Sequence, residues 1–146
     1  MGSSIKIGII NGPNLNLLGS REPEIYGRDG FEAILSALQT RYPAHTFVYY
    51  QSNIEGELID AVQDMALRQG CEGILLNAGG YTHTSVALHD AIKAVSVPVL
   101  EIHLSQVAAR EEFRHTSLIG AACRGSIAGF GKDSYRLGVE ALTSSL

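Results

Sequence analysis

The chain predicts a doubly wound α/β domain on a parallel sheet, and three observations carry that expectation. Apolar runs rich in β-branched residues alternate with helix-period segments from end to end. Most of these runs are continuous, as expected of parallel strands covered on both faces. The polar residues gather just after the runs, where the strands of such a sheet end.

The first strand is expected at Ile5–Asn11, followed by the turn Asn11-Gly12-Pro13 and a long connection from Asn14 to Gly27. Asp29 then reads as a helix N-cap with Glu32 three residues later, a capping-box pattern. Phe31, Ile34, Leu35, Leu38 and Tyr42 form that helix's apolar stripe. A second strand, Thr46–Gln51, leads to a helix marked by Leu58, Ile59, Val62, Met65 and Ala66, with Asn53 as its cap and Gly70 as its stop. The third strand is Gly73–Asn77. The helix after it runs from about Thr84 to Val95 with Leu88, Ala91, Ile92 and Val95 inward. Strand four, Val97–His103, tolerates Pro98 among its first residues. Strand five is Gly125–Gly131, and the last helix turns Tyr135, Val139, Leu142 and Leu146 inward. Five such units with short connections favour the flavodoxin-like strand order 2-1-3-4-5. At 146 residues, with no repeat or low-complexity tract, the chain makes one domain, residues 1–146, around one core.

A net charge of -4 with 18% charged residues describes a mildly acidic protein, and no basic run points to nucleic acid or an anionic membrane. No apolar stretch approaches the roughly 18 residues of a membrane span. Met1 to Ser4 lead straight into the first strand without a signal segment, so a cytoplasmic location is expected. Cys71 and Cys123 match no metal spacing and read as buried or idle thiols.

The connection after the first strand is long for a small domain, which marks a functional lid or a linker. Its composition favours a lid over residues 19–27: Arg21 and Tyr26 lie five positions apart between Gly19 and Gly27, with Pro23 stiffening the middle. An arginine beside a tyrosine lowers the phenol's pKa from about 10, because the cation favours the phenolate. The pair would then be a base on a closing loop; an ordinary surface loop with a solvated arginine fits the same residues.

The polar clusters fall at the strands' carboxyl ends: Asn11-Gly12-Pro13-Asn14, Gln51-Ser52-Asn53, Asn77 through His83, and Glu101 through Ser105. Gln51-Ser52-Asn53 reads best as turn and capping chemistry. His103 alternates with Glu101, so both side chains can share one face of a strand. A carboxylate beside an imidazole fixes its orientation and stabilises its protonated form, which suits a general acid. A purely structural pair would use the same two residues. Asn77 and His83 bracket Gly79-Gly80, where the backbone can approach a ligand closely, although His83 is equally placed to cap the third helix. Ser105 with the backbone around Leu104 can receive a carboxylate, and either Arg110 or Arg114 can reach the ligand.

Several chemistries fail on spacing. There is no Gly-x-Ser-x-Gly elbow, and Gly129-Phe130-Gly131-Lys132 lacks both the earlier glycine and the following hydroxyl of a phosphate-binding loop. The five histidines show no metal pattern, and Lys6, Lys93 and Lys132 sit away from the polar clusters, which disfavours an imine.

Taken together, Asn11 to Asn16, Leu18 to Gly27, Gln51 to Asn53, Asn77 to Ser85 and Glu101 to Ser105 resemble type II 3-dehydroquinate dehydratase in order and spacing across essentially the whole chain. The resemblance implies a flavodoxin-like fold and cofactor-free, metal-free anti elimination of water from 3-dehydroquinate through an enolate, in the shikimate pathway to chorismate and the aromatic amino acids. It makes Tyr26 the base, assisted by Arg21, and His103 the acid, supported by Glu101. Asn14 matches the residue associated with the enolate. Asn77, His83, Leu104, Ser105 and Arg114 match substrate-binding positions. Asp90 resembles an acidic residue lent by a neighbouring subunit, and the implied assembly is a homododecamer made of trimers. Gln106, Ala108, His89 and Thr116 depart from the family's commoner residues without removing a proposed catalytic group. A non-catalytic binding module would not need Tyr26, Arg21 and His103 together. An enzyme for another cyclic polyol acid would keep acid, base and carboxylate anchor.

Overall fold

The β-branched runs pair in parallel because helices cover both of their faces. In the computed structural model, which describes residues 4–20 and 30–145, the strands are β1 (Lys6–Asn11), β2 (Thr46–Gln51), β3 (Gly73–Asn77), β4 (Val99–His103) and β5 (Gly125–Ala128). The helices are α1 (Phe31–Arg41), α2 (Glu55–Leu67), α3 (Val86–Ala94) and α4 (Asp133–Ser145). The strand order is β2-β1-β3-β4-β5, all parallel, as expected of the flavodoxin-like arrangement.

Alternation along each strand divides the core into two layers. Ile7, Ile9, Leu75, Leu100 and Ile102 pack with Phe31, Ile34 and Leu38 of α1 and with Tyr135, Val139 and Leu142 of α4. On the opposite face Ile10, Ile74, Leu76 and Val99 meet Leu58, Val62 and Met65 of α2 and Leu88 and Ile92 of α3. Each fully buried side chain of this size contributes roughly 1.5–3 kcal/mol. The central strands β3 and β4 are buried throughout, so the core holds the sheet and leaves its carboxyl edge for polar residues.

Besides one- or two-residue shifts at the start of β1 and at both ends of α3, the element ends differ from expectation in four places. Strand β4 begins at Val99 rather than Val97. Pro98 has no N–H for the ladder, though its carbonyl still accepts from Ile74. Strand β5 stops at Ala128 because Gly129 turns the chain with φ 98°. Gly30, extended at φ −77° and ψ −170°, occupies the N-cap position of α1, which corrects the assignment to Asp29; Asp29 itself lies outside the described residues. Ile54 precedes α2 and Asn53 makes no cap bond to it, so the second cap assignment is also corrected. The stop at Gly70 holds. With φ 73° it lets the Cys71 N–H reach back to the Met65 carbonyl at 3.0 Å, a left-handed helix ending. Leu146, expected inward from the last helix, is outside the described residues.

Candidate active site

Three strands deliver their last residues to one edge. Asn11 lies in register with Gln51 on one side and Asn77 on the other, and the Gly12 N–H donates to the Asn77 carbonyl at 2.7 Å. The loops after β1 and β3 pack so closely that a Cβ on Gly12 would sit 2.5 Å from the Ala78 carbonyl oxygen. Only glycine permits that approach. Above it, together with the loop after β4, lies a cleft of about 180 Å³, room for a small molecule. Asn14, Asn77, His83, His103, Leu104, Ser105, Arg110 and Arg114 all line it, so most of the site residues expected from the sequence come together.

Glu101 lies behind His103 and is 3% exposed. Its carboxylate accepts from His103 Nε2 at 2.7 Å and from the hydroxyls of Ser117 at 2.7 Å and Ser126 at 2.6 Å. Burial alone pushes this carboxyl up, but the three donors outweigh it and hold the pKa down at about 2. Glu101 is therefore charged at neutral pH. With Nε2 donating to it, Nδ1 is the ring nitrogen that remains to serve the cleft. The alternation along β4 predicts this pairing; Ser117 and Ser126 escape it, being distant in sequence. One signal for Ser126 exists, since it pairs in register with Glu101 once β5 is set beside β4.

The other side chains are held by specific partners. Asn77 donates to the hydroxyl of Tyr135 at 3.1 Å, and that hydroxyl donates to Asn11 Oδ1 at 2.7 Å. Tyr135, wholly buried on α4, thus ties two strand ends together, a role with no local sequence signal. His83 places Nδ1 2.8 Å from the Thr116 carbonyl. The helix cap is Ser85, whose hydroxyl accepts from the Leu88 N–H at 2.9 Å, which resolves the choice left open for His83. Because Thr116 contributes its backbone, its side-chain departure leaves that contact intact.

Both arginines reach the rim. Arg110 Nη1 donates to the Ser105 hydroxyl at 3.2 Å, while Arg114 Nε donates to Glu111 at 2.8 Å and its guanidinium lies over the Phe113 ring. Asp90 is not at this cleft. Its side chain is 72% exposed on α3, beside His89 at 3.2 Å. Arg21 and Tyr26 lie outside the described residues. Among the described residues no cluster of three His, Cys, Asp or Glu could hold a metal ion, and no helix is long and apolar enough to cross a membrane. Burial raises the pKa of both thiols; Cys123, with the Glu101 carboxylate nearby, is pushed up to about 12.

A doubly wound sheet with a polar cleft and a buried carboxylate–imidazole pair at its carboxyl edge defines an α/β enzyme site. The family model described as dehydroquinase class II matches residues 5–143. A 3-dehydroquinate dehydratase of Chlorobaculum tepidum is 50% identical over 142 residues, covering 97% of this chain and 96% of that protein. Its counterpart from Maricaulis maris is 51% identical over 142 residues, covering 96% of each. The crystal structure of a type II dehydroquinase from Butyrivibrio crossotus superposes with a TM-score of 0.89 at 42% identity, covering 97% of this chain and 99% of the other. The chain belongs to the class II dehydroquinase family.

Proposed function

We propose that this protein removes water from 3-dehydroquinate to give 3-dehydroshikimate, as a cytoplasmic enzyme of the shikimate pathway leading to chorismate and the aromatic amino acids. The buried Glu101–His103 pair, facing a cleft in a chain of this family, is the observation that carries the reading.

The reaction has two halves. Taking a proton from the carbon next to a ketone makes an enolate, which needs a base and a stabilised oxygen. Tyr26 is the proposed base, Arg21 the cation that favours its phenolate, and residues 19–27 the closing loop that carries both. Of the described tyrosines, Tyr42, Tyr49, Tyr50 and Tyr135 are all held above the ordinary phenol value, with burial the largest cause in each, so none of these four offers a ready phenolate. The Asn14 amide, at the cleft's edge, supports the enolate oxygen. The enolate's electron pair then expels the β-hydroxyl, which leaves as water on accepting a proton from His103. Glu101 keeps the imidazole oriented for that transfer. Ser105, the Leu104 backbone and Arg114 anchor the ring carboxylate, while Asn77 and His83 bind ring hydroxyls. Base and acid act on opposite faces, an anti elimination, and no step calls on a metal or cofactor. Residues 1–146 act as a single catalytic domain. Asp90 is proposed to complete it from a neighbouring subunit of a homododecamer.

Incubating the purified protein with 3-dehydroquinate tests this reading. Ultraviolet absorption from the conjugated enone product should grow with time and enzyme concentration. Absence of that signal from folded, oligomeric protein would refute the assignment.

A further inference from the structure

Asn14 is the one non-glycine residue with positive φ among those described, at φ 71° and ψ −5°. A left-handed backbone disfavours side-chain-bearing residues, asparagine less than most, and it is fixed where neighbouring groups bond to it. Here the surroundings come from the end of β2. Asn53 Oδ1 accepts the Asn14 N–H at 3.0 Å. Gln51 Nε2 donates to the same oxygen at 3.2 Å and to the Gly12 carbonyl at 3.1 Å, clamping the residues on either side of Pro13. The Tyr81 hydroxyl donates to the Asn53 carbonyl at 3.2 Å, which fixes Asn53 against the loop after β3. Ser52 accepts the Ile54 N–H at 2.9 Å, closing the turn that presents Asn53. Asn53 thus joins the loops after β1, β2 and β3, yet it does not line the cleft.

We infer that Asn53 is a positioning residue that holds Asn14 in its left-handed conformation and so aims the Asn14 amide into the cleft. The inference rests on the proposed role of Asn14 at the enolate oxygen. An interaction made chiefly in the transition state affects turnover more than substrate binding, and a displacement of about 1 Å in a positioned group can cost on the order of 10²-fold.

The test is a double-mutant cycle with 3-dehydroquinate, combining Asn53→Ala with Asn14→Ala, alongside Asn53→Asp and crystal structures of the variants. Asn53→Ala should lower kcat by roughly 10- to 100-fold with KM changed much less. Asn53→Asp should restore most of the loss, because a carboxylate oxygen accepts the same N–H. In the Asn14→Ala background, Asn53→Ala should cost less than about threefold further. The Asn53→Ala crystal structure should show residue 14 outside the left-handed region. Fully additive losses, or an Asn53→Ala structure with Asn14 unmoved, would overturn the inference. Should the alanine variant not fold, Asn53→Ser, too short to reach the Asn14 N–H, gives the same readouts. A wild-type protein without turnover would defeat the dehydratase reading instead, and the backbone of residue 14 in the variants would still decide the role of Asn53.

Discussion

At the residue scale the site depends on keeping one carboxylate ionised in a buried position. Three donors surround Glu101, and the balance of burial against those hydrogen bonds leaves its pKa at about 2. The linkage has a definite sign. A carboxyl depressed in the folded state contributes stability above its ordinary pKa, near 4.5, and loses it as pH falls through the folded value. The contribution is at most about 3 kcal/mol. Denaturant melts of wild type should therefore weaken as pH falls from 4.5 towards 2, and Glu101→Gln should show a shallower slope there while being less stable at pH 7. Equal slopes would show that Glu101 does not govern acid sensitivity. His103 carries the chemical half of the argument. His103→Ala should lower turnover by roughly 10²–10⁴-fold, the usual scale for a positioned acid. Solvent exchange of the substrate's α-proton should survive, because the proposed mechanism forms the enolate first; NMR in deuterated solvent separates the two steps. Near-normal turnover would remove His103 from the proposed role.

At the scale of elements, the periodic parts were legible and the contacts across elements were not. Leu88, Ala91 and Ile92 announce a helix face, and the β-branched runs announce β1 and β3, because burial imposes a period on nearby residues. The four polar clusters were legible for a similar reason, as each sits where a strand must end. Local sequence presents Asn53 as a cap because capping is a local rule, whereas its partner Asn14 lies across the sheet edge. Tyr135 looked like one more apolar position on α4, though its hydroxyl joins Asn11 to Asn77. Gly12 shows how such contacts constrain the chain. Its missing Cβ lets two strand-end loops meet, and Gly12→Ala must push one backbone off another. The substitution should cost about 2 kcal/mol or more, lowering the melting temperature by roughly 5 °C and reducing turnover as the Asn77 contact shifts. Calorimetry and kinetics on the same preparation check both. Unchanged melting would mean that the loops separate freely.

At the scale of the whole molecule, Asp90 is the proposed site residue that links one chain to its neighbours. It lies on α3 with its side chain 72% exposed, one turn beyond Val86, itself 63% exposed, and it is not among the residues that line the cleft. The proposed role of Asp90 therefore places it at another protomer's cleft and would tie activity to assembly. The proposed homododecamer would provide that neighbour. Complementation follows directly. Subunits carrying Tyr26→Phe lack the proposed base but retain Asp90, whereas Asp90→Ala subunits retain the base and lack the lent carboxylate. Each homogeneous assembly should be nearly inactive. In a mixed assembly, a cleft with intact Tyr26 whose neighbour supplies intact Asp90 has both groups, so unfolding the two variants together and reassembling them should recover part of the wild-type rate. Recovery should rise with the fraction of mixed contacts, peaking near equal proportions. If the mixture stays inactive while wild-type protein regains full activity by the same route, Asp90 does not act across an interface.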